Sequence, residues 1–177
     1  MSMIAVLAAA AVAAKPPPTI PLPGLLAPMG TGKLMCIGPD KAKKTCIGIG
    51  GMRLNAKGEM VVWNKTWLGD ARGPLLATQE AVVTLKDGAV CDPNRPSDFE
   101  ATRYTWAGGK LTAQQVDVLR TRIKARLQQY FNRETCQQVY EDAGGLVMLA
   151  RVNGVQDPSL TLRFVWISPK DGYRVGV

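Results

Sequence analysis

The chain has 177 residues, of which 46% are hydrophobic and 20% are charged, and its formal net charge is +8. This length and composition are typical of one globular domain with a core of its own. The sequence contains no histidine, which excludes histidine-based catalytic triads, histidine metal ligands and histidine pH switches. The excess of basic residues weakly favours anionic partners, but it does not distinguish nucleic acid from lipid headgroups or acidic glycans.

The first residues are similar to a secretory signal segment. Residues 1–14, MSMIAVLAAAAVAA, are apolar and end in small residues, so that Val12 and Ala14, or Ala11 and Ala13, could precede a cleavage site. No Lys or Arg precedes the apolar run, and a short uncleaved anchor is therefore the alternative. A run of about eleven apolar residues is too short to span a bilayer. We expect a periplasmic or secreted protein that is not transmembrane after processing.

A proline-rich stretch follows. Residues 15–28, KPPPTIPLPGLLAP, contain six prolines, and such a composition predicts an extended chain with polyproline II character. We interpret residues 15–33 as a spacer between the signal-like segment and the domain. The alternative function is that of a ligand for a proline-binding groove.

Residues 34–177 are predicted to form a single domain that is rich in β-strands. Turn signals such as Gly38-Pro39-Asp40, Asp87-Gly88 and Asn153-Gly154 separate the strand-like segments. Those segments lie at residues 34–53, where a hairpin is expected, and at 59–67, 75–85, 99–106, 136–140, 146–152 and 160–167. Residues 99–106 are ambiguous, because Ser97 and Glu100 have the spacing of a helix cap, but a strand is favoured there. Glycines 48, 50 and 51 lie inside one of them, which indicates a bulge, a bend or a close approach of the backbone.

One long helix is predicted at residues 111–131. Thr112 and Gln115 have the spacing of a capping box, and apolar residues recur at helical spacing from Val116 to Phe131. The fold class expected from these elements is α+β, a mostly antiparallel β-sheet with this long amphipathic helix packed on it. The alternative is an all-β barrel or sandwich with a peripheral helix.

The four cysteines predict two disulfides. An even number of cysteines in an exported chain is typical of a disulfide framework. Of the three possible connectivities we favour Cys36–Cys46, which closes a hairpin, together with Cys91–Cys136, which connects the strands on either side of the helix. Paired C-x-x-C spacing, which a zinc or redox site would use, does not occur.

Two groups of residues are candidates for a binding site, and no catalytic residue, metal ligand or cofactor is assigned. Trp63 and Trp67 lie four residues apart, on one face of a strand, where they belong to the core or form an aromatic platform for a sugar or base. The basic residues of the helix and its end form a possible anion site: Arg120, Arg122, Lys124, Arg126 and Arg133. A solvated helix surface is the simpler interpretation of that charge.

The end of the chain, RFVWISPKDGYRVGV at residues 163–177, together with KTC at 44–46 and DGAVC at 87–91, resembles small uncharacterised exported proteins of Gram-negative, alphaproteobacterial type. The likeness extends over residues 36–177. The resemblance implies a periplasmic location, and it does not imply any particular activity or site.

Three functional hypotheses remain open. The first is a non-catalytic periplasmic or secreted binding or interaction module with two disulfides, whose partner is an anionic envelope component or another periplasmic protein rather than nucleic acid. The second is a carboxylate-dependent hydrolase of envelope glycans, which needs two acids in one cleft beside Trp63, Trp67 or Trp106. The third is an anion-binding protein that uses the basic residues of helix 112–131.

Overall fold

The computed structural model describes residues 20–69, 74–106 and 109–176. Within this part of the chain, antiparallel β-structure dominates, and 11 strands share one sheet. The strands are β1 (Leu34–Asp40), β2 (Thr45–Leu54), β3 (Met60–Trp67), β4 (Leu75–Val82), β5 (Thr84–Lys86), β6 (Ala89–Asp92), β7 (Arg103–Trp106), β8 (Thr135–Asp142), β9 (Gly145–Val152), β10 (Val155–Ile167) and β11 (Arg174–Val175). The helices are short: α1 (Leu22–Gly30), α2 (Pro96–Glu100) and α3 (Ala113–Leu127), with 3-10 turns at Gln128–Tyr130 and Pro169–Asp171.

The predicted fold class is wrong, because no long amphipathic helix packs on the sheet in the described part of the chain. Helix α3 has 15 residues instead of the predicted 21-residue span of 111–131, and none of its side chains is buried. Its start was predicted well, since the capping box of Thr112 and Gln115 is present. Its apolar residues Val116, Leu119 and Ile123 are half-buried against a small cluster at the β4–β7 end of the sheet.

The main core lies inside the curled sheet instead of under a helix. The order of the hydrogen-bonded strands is β5-β6-β8-β9-β10-β1-β2-β3-β4-β7, with β11 added beside β2. Only Val83 separates β4 from β5, and its N–H donates to the Met60 carbonyl of β3 at 2.9 Å. The chain bends at Val83, so that β4 pairs with β3 near one end of this order and β5 pairs with β6 at the other end. The sheet therefore curls and encloses an interior.

Side chains alternate between this interior and the outer surface, as the pleat of a strand requires. Phe164, which is 1% exposed, belongs to the core cluster of this interior. The buried residues around it come from helix α1, four strands and the bend between β4 and β5: Leu25, Met35, Val83, Val90, Val139 and Met148. Because these residues are distant in sequence, the interior depends on closure of the whole sheet.

Helix α1 occupies part of the stretch that we predicted to be extended, and that prediction is wrong for residues 22–28. Pro21 and Pro23 are compatible with the helix because Pro21 is its N-cap and Pro23 lies in its first turn, where an N–H group has no intrahelical acceptor. Pro28 lies inside the helix, two residues before its end at Gly30. Leu25 packs into the core and is 5% exposed. The signal-like segment and the start of the proline-rich stretch, residues 1–19, lie outside the described residues.

Both predicted disulfides are confirmed, Cys36–Cys46 and Cys91–Cys136. The first joins β1 to β2 and packs with Ile167 in a separate outer cluster. The second joins Cys91 of β6 to Cys136 of β8, which are partners in the strand register. Two such bonds are consistent with an oxidising environment outside the cytosol.

Candidate ligand cavity

A cavity of about 310 Å³ opens at one end of the curled sheet. Its apolar wall is contributed by β1, β3, β9, β10 and the bend after β4, through Met35, Ile37, Val62, Val83, Met148 and Leu162. Helix α1 closes the interior beside this cavity, because Leu25 lines an adjacent void of only about 30 Å³ together with Met35, Met52 and Val139. The larger cavity is therefore a pocket that has a packed floor.

Two glycines of β2 help to create the space. Gly48 and Gly50 are buried, and they line the cavity opposite Thr66 and Asn64 of β3. A Cβ atom at Gly50 would lie 2.7 Å from the Trp63 carbonyl oxygen, whereas one at Gly48 would meet its nearest neighbour at 3.4 Å. The sequence predicted a bulge, a bend or a close approach at these glycines, and a close approach is what Gly50 shows.

The open end of the cavity is polar. Thr66 Oγ1 donates to Asn64 Oδ1 at 3.3 Å on β3. On β8, Thr135 and Gln137 line the same cavity, and they are the register partners of Asp92 and Val90 of β6. Since Val90 is part of the inner core, strand alternation directs Asp92 and Thr135 to the interior as well.

Asp92 is held in place by a tight turn at the end of β6. The Asn94 N–H donates to Asp92 Oδ1 at 2.7 Å, and Asn94 has a positive φ of 50°, a conformation that Asn tolerates. The Asn94 side-chain amide in turn donates to Thr135 Oγ1 and to the Arg133 carbonyl, each at 2.7 Å. The turn thus fixes the Asp92 carboxyl against β8.

Burial raises the pKa of the Asp92 carboxyl above its usual value of 3.8. Desolvation is the main cause, and the nearby charge of Asp98 adds to it, whereas the hydrogen bond from the Asn94 backbone and the charge of Arg95 act in the opposite direction. Among the described residues that line this cavity, Asp92 alone has an ionisable side chain. No described Lys or Arg side chain lies within ion-pair distance of it.

A side cleft of about 230 Å³ meets the cavity at the same carboxyl. The two share Asp92, Asn94, Thr135 and Gln137. The outer wall of the cleft comes from α2, the end of α3, the following 3-10 turn and β10, through Phe99, Leu127, Tyr130, Phe131 and Leu160. Asp92 therefore lies where an apolar interior meets an apolar side entrance.

Arg95 and Asp98 form a charged pair in the wall of this side cleft. Arg95 Nε donates to Asp98 Oδ2 at 3.0 Å, and Arg95 Nη2 donates to the Val82 carbonyl at 2.9 Å. The guanidinium thus ties the chain after β6 to the end of β4. Its charge is largely engaged by Asp98.

The two predicted tryptophans do not form the cavity as a pair. Trp63 and Trp67 are both half-buried on β3, where they pair with Glu80 and Leu76 of β4. Trp63 borders the cavity, and its indole lies against Gly51, where an added Cβ would be 3.2 Å from Nε1. The aromatic platform stays a prediction.

The predicted basic site lies away from the cavity, on α3 and the segment after it. Arg120 is 3.5 Å from both Glu100 and Asp117, and Lys124 is 3.1 Å from Glu100. Arg122, Arg126 and Arg133 are exposed. The helix therefore presents fewer uncompensated charges than its sequence indicates, and anion binding stays a prediction.

A third group of residues has the composition of a metal site. Ligand atoms of Cys91, Glu134 and Cys136 lie within 4.8 Å of one another. Both sulfurs belong to the disulfide, so in the oxidised chain neither is available as a thiolate ligand.

Sequence reasoning missed Asp92, Asn94, Thr135 and Gln137, which meet at the polar end of the cavity. The segment 92–98, DPNRPSD, reads as an irregular loop, although its Asp-x-Asn pattern is a signal for a side-chain-capped turn. Nothing local in the sequence indicates that this turn faces β3 and β8, because only the curl of the sheet brings them together.

No protein family, curated protein or solved structure matches this chain. Among the described residues, no helix combines the length and apolar character needed to cross a membrane.

Proposed function

We propose that this protein is a non-catalytic binding module that takes a small, partly apolar ligand into the interior of its curled sheet. The observation that carries the proposal is the cavity of about 310 Å³, which has an apolar wall and a polar rim. Ligand pockets typically have about 300–1,000 Å³ and combine a mostly apolar lining with a few fixed polar groups. The cavity is at the lower end of that range, which favours a small molecule over a peptide.

The pocket is already formed and stiffly held. Two disulfides brace the strands β1–β2 and β6–β8 that contribute to its wall. The turn of Asn94 fixes the rim through three hydrogen bonds of 2.7 Å. A preformed pocket avoids much of the ordering cost of binding, and this supports a binding role.

We further propose that the ligand is met in the periplasm or outside the cell. Disulfides form and persist in oxidising compartments. The signal-like residues 1–14 and the resemblance to alphaproteobacterial exported proteins agree with such a location. The intact mass of the natively expressed protein, measured after alkylation with and without reduction, tests this. Loss of the first residues and an absence of free thiols would support export, and a full-length chain with four free thiols would contradict it.

The binding function is tested with hexan-1-ol as a neutral probe. Amide resonances of the full, disulfide-bonded chain are followed by ¹⁵N–¹H NMR during the titration. Saturable shifts confined to the inner residues of β1, β2, β3, β6, β8, β9 and β10 are expected. The variant Leu162→Phe fills the cavity and should weaken binding, whereas Thr161→Phe places the same ring at the exposed neighbouring position and should not. Shifts that are absent or scattered over the surface would refute the proposal.

A carboxylate-dependent hydrolase is the second candidate. Asp92 and Asp98 both line the side cleft, and the charge of Asp98 helps to raise the pKa of Asp92. Two carboxyls in one cleft are what a general acid beside a base or nucleophile requires. Binding is favoured because Arg95 holds the Asp98 carboxylate at 3.0 Å. Release of reducing ends from isolated envelope glycan, abolished in both Asp92→Asn and Asp98→Asn, would support the hydrolase instead.

A further inference from the structure

The single carboxyl at the rim of the cavity points to the charge of the ligand. Asp92 is the register partner of Thr135, faces the interior with it, and lies at the junction of the cavity and the side cleft. Within the described chain, one donor contacts this carboxyl, the Asn94 N–H at Oδ1. The second oxygen, Oδ2, receives no hydrogen bond from a described residue.

Arg95, the basic residue that lines the side cleft, is bound by groups other than Asp92. Arg95 binds Asp98 and the Val82 carbonyl. Of the other ionisable side chains in the two linings, Tyr130 donates to Asp157 at 3.3 Å. The fold has thus placed a half-buried carboxyl at the polar end of an apolar cavity, and no described Lys or Arg forms an ion pair with it. Such burial is costly unless a partner arrives.

We propose that the ligand is a small organic ammonium cation, whose nitrogen donates to Asp92 while its apolar group occupies the interior of the sheet. This inference rests on the proposed function and names the chemical class of its ligand. An ammonium group supplies the missing charge and up to three N–H donors. Asn64, Thr66 and Gln137 offer further oxygen acceptors at the same rim.

The shape of the site fits this chemistry. The ammonium would lie at the polar junction, and the apolar group would extend towards Met35, Val62 and Met148. The overall charge of +8 does not prevent this, because at physiological ionic strength exposed charges are largely screened beyond about 8 Å. An anionic ligand, by contrast, would meet the Asp92 carboxylate, and Arg95, the nearby cation, is already bound to Asp98.

The test compares three probes that share a six-carbon chain: hexylammonium chloride, hexan-1-ol and sodium hexanoate. Each is titrated at neutral pH into the full, disulfide-bonded chain and followed by ¹⁵N–¹H NMR. Hexylammonium should bind about tenfold or more tightly than hexan-1-ol, the difference expected for a hydrogen bond to a charged group. Hexanoate should bind more weakly than either of them.

Two variants that each remove one negative charge test whether Asp92 causes the tighter binding of hexylammonium. Asp92→Asn keeps an oxygen acceptor for the Asn94 N–H, and it should abolish the advantage of hexylammonium over hexan-1-ol. Asp87→Asn is the matched control, because Asp87 is exposed in the turn between β5 and β6 at a φ of 47°, which Asn also adopts. It should bind all three probes as the natural chain does.

The possible failures are distinguishable. If hexan-1-ol binds inside the sheet but the three probes have equal affinity, or Asp92→Asn changes nothing, the ammonium inference is overturned and the binding function stands. If no probe binds, both are overturned. Should Asp92→Asn not fold, the pH dependence of the natural chain replaces it. Hexylammonium affinity should then fall in acid as Asp92 becomes protonated, while hexan-1-ol affinity stays constant, and parallel behaviour of the two would overturn the inference.

Discussion

Cys91 and Cys136 are direct cross-strand partners, and their disulfide lies behind the carboxyl that marks the cavity. The next register pair along the same two strands is Asp92 with Thr135. Because successive side chains of a strand point to opposite faces, the bond is on the outer face and the polar rim on the inner face. A slip of one residue between β6 and β8 would turn Asp92 outward. The disulfide therefore fixes the register on which the site depends.

Removal of this disulfide should cost more stability than removal of the other one. Cys91–Cys136 closes a separation of 45 residues and Cys36–Cys46 one of 10. In the chain-entropy model these correspond to about 4 and about 3 kcal/mol, respectively. The double variants Cys91→Ala/Cys136→Ala and Cys36→Ala/Cys46→Ala should lose unfolding free energy in that order, measured by guanidinium unfolding without reductant. The opposite order would contradict the model.

The Asp92 carboxyl should destabilise the empty protein at neutral pH. Its folded pKa is raised above 3.8, chiefly by desolvation, so folding favours the protonated form. The stability that Asp92 contributes is therefore complete below the unfolded value and is lost as pH rises through the raised folded value. Asp92→Asn should melt at a higher temperature than the natural chain at neutral pH, and the difference should vanish at about pH 3. Calorimetry across this range measures it.

Asp142 provides a control of the opposite sign. The Arg163 guanidinium donates to both of its oxygens, at 2.9 and 2.6 Å, and lowers the pKa of this exposed carboxyl below 3.8. Its contribution is present above the unfolded value and is lost as pH falls through the lowered one. Asp142→Asn should therefore give no gain at neutral pH. A gain equal to that of Asp92→Asn would show that reduced negative charge alone is responsible.

The two cavity glycines should respond differently to an added methyl group. At Gly50 a Cβ would approach the Trp63 carbonyl oxygen to 2.7 Å, and backbone cannot move aside cheaply. We expect Gly50→Ala to cost about 1–3 kcal/mol, as overpacking typically does. At Gly48 the nearest atom, Thr66 Oγ1, is 3.4 Å away, so Gly48→Ala should be neutral or slightly stabilising. Urea unfolding of the two variants measures the difference. Equal losses of unfolding free energy would contradict the interpretation that Gly50 is needed for a close approach of the backbone.

Local signals in the sequence were sufficient for much of the sheet and for both disulfides. The segment predicted at 59–67 corresponds to β3, and the capping box at Thr112 begins α3. The prediction for 99–106 was only partly right, because Phe99 belongs to α2 and the strand begins at Arg103. Here Pro96 and the buried Phe99 favour a short helical turn before the strand.

What could not be predicted depends on contacts between distant parts of the chain. The apolar stripe from Val116 to Ile123 is real, but it covers only the edge formed by Leu75 and Tyr104, because the sheet buries its own interior by curling. The core position of Leu25 was missed for the same reason. The bend at Val83 closes the sheet and brings β6 close to β3. The hydrophobic periodicity of β3 and of β6 gives no signal of this closure.

The anion-binding hypothesis predicts a difference between two pairs of basic residues on α3. Arg120 and Lys124 are engaged by Glu100 at 3.5 and 3.1 Å, whereas Arg122 and Arg126 are exposed. If the helix binds polyanions, Arg122→Ala/Arg126→Ala should elute from phosphocellulose at clearly lower salt than Arg120→Ala/Lys124→Ala, since each cation–phosphate contact adds to the salt dependence of binding. Both variants lose the same formal charge, so equal elution would mean that retention follows net charge and that the helix is an ordinary solvated surface.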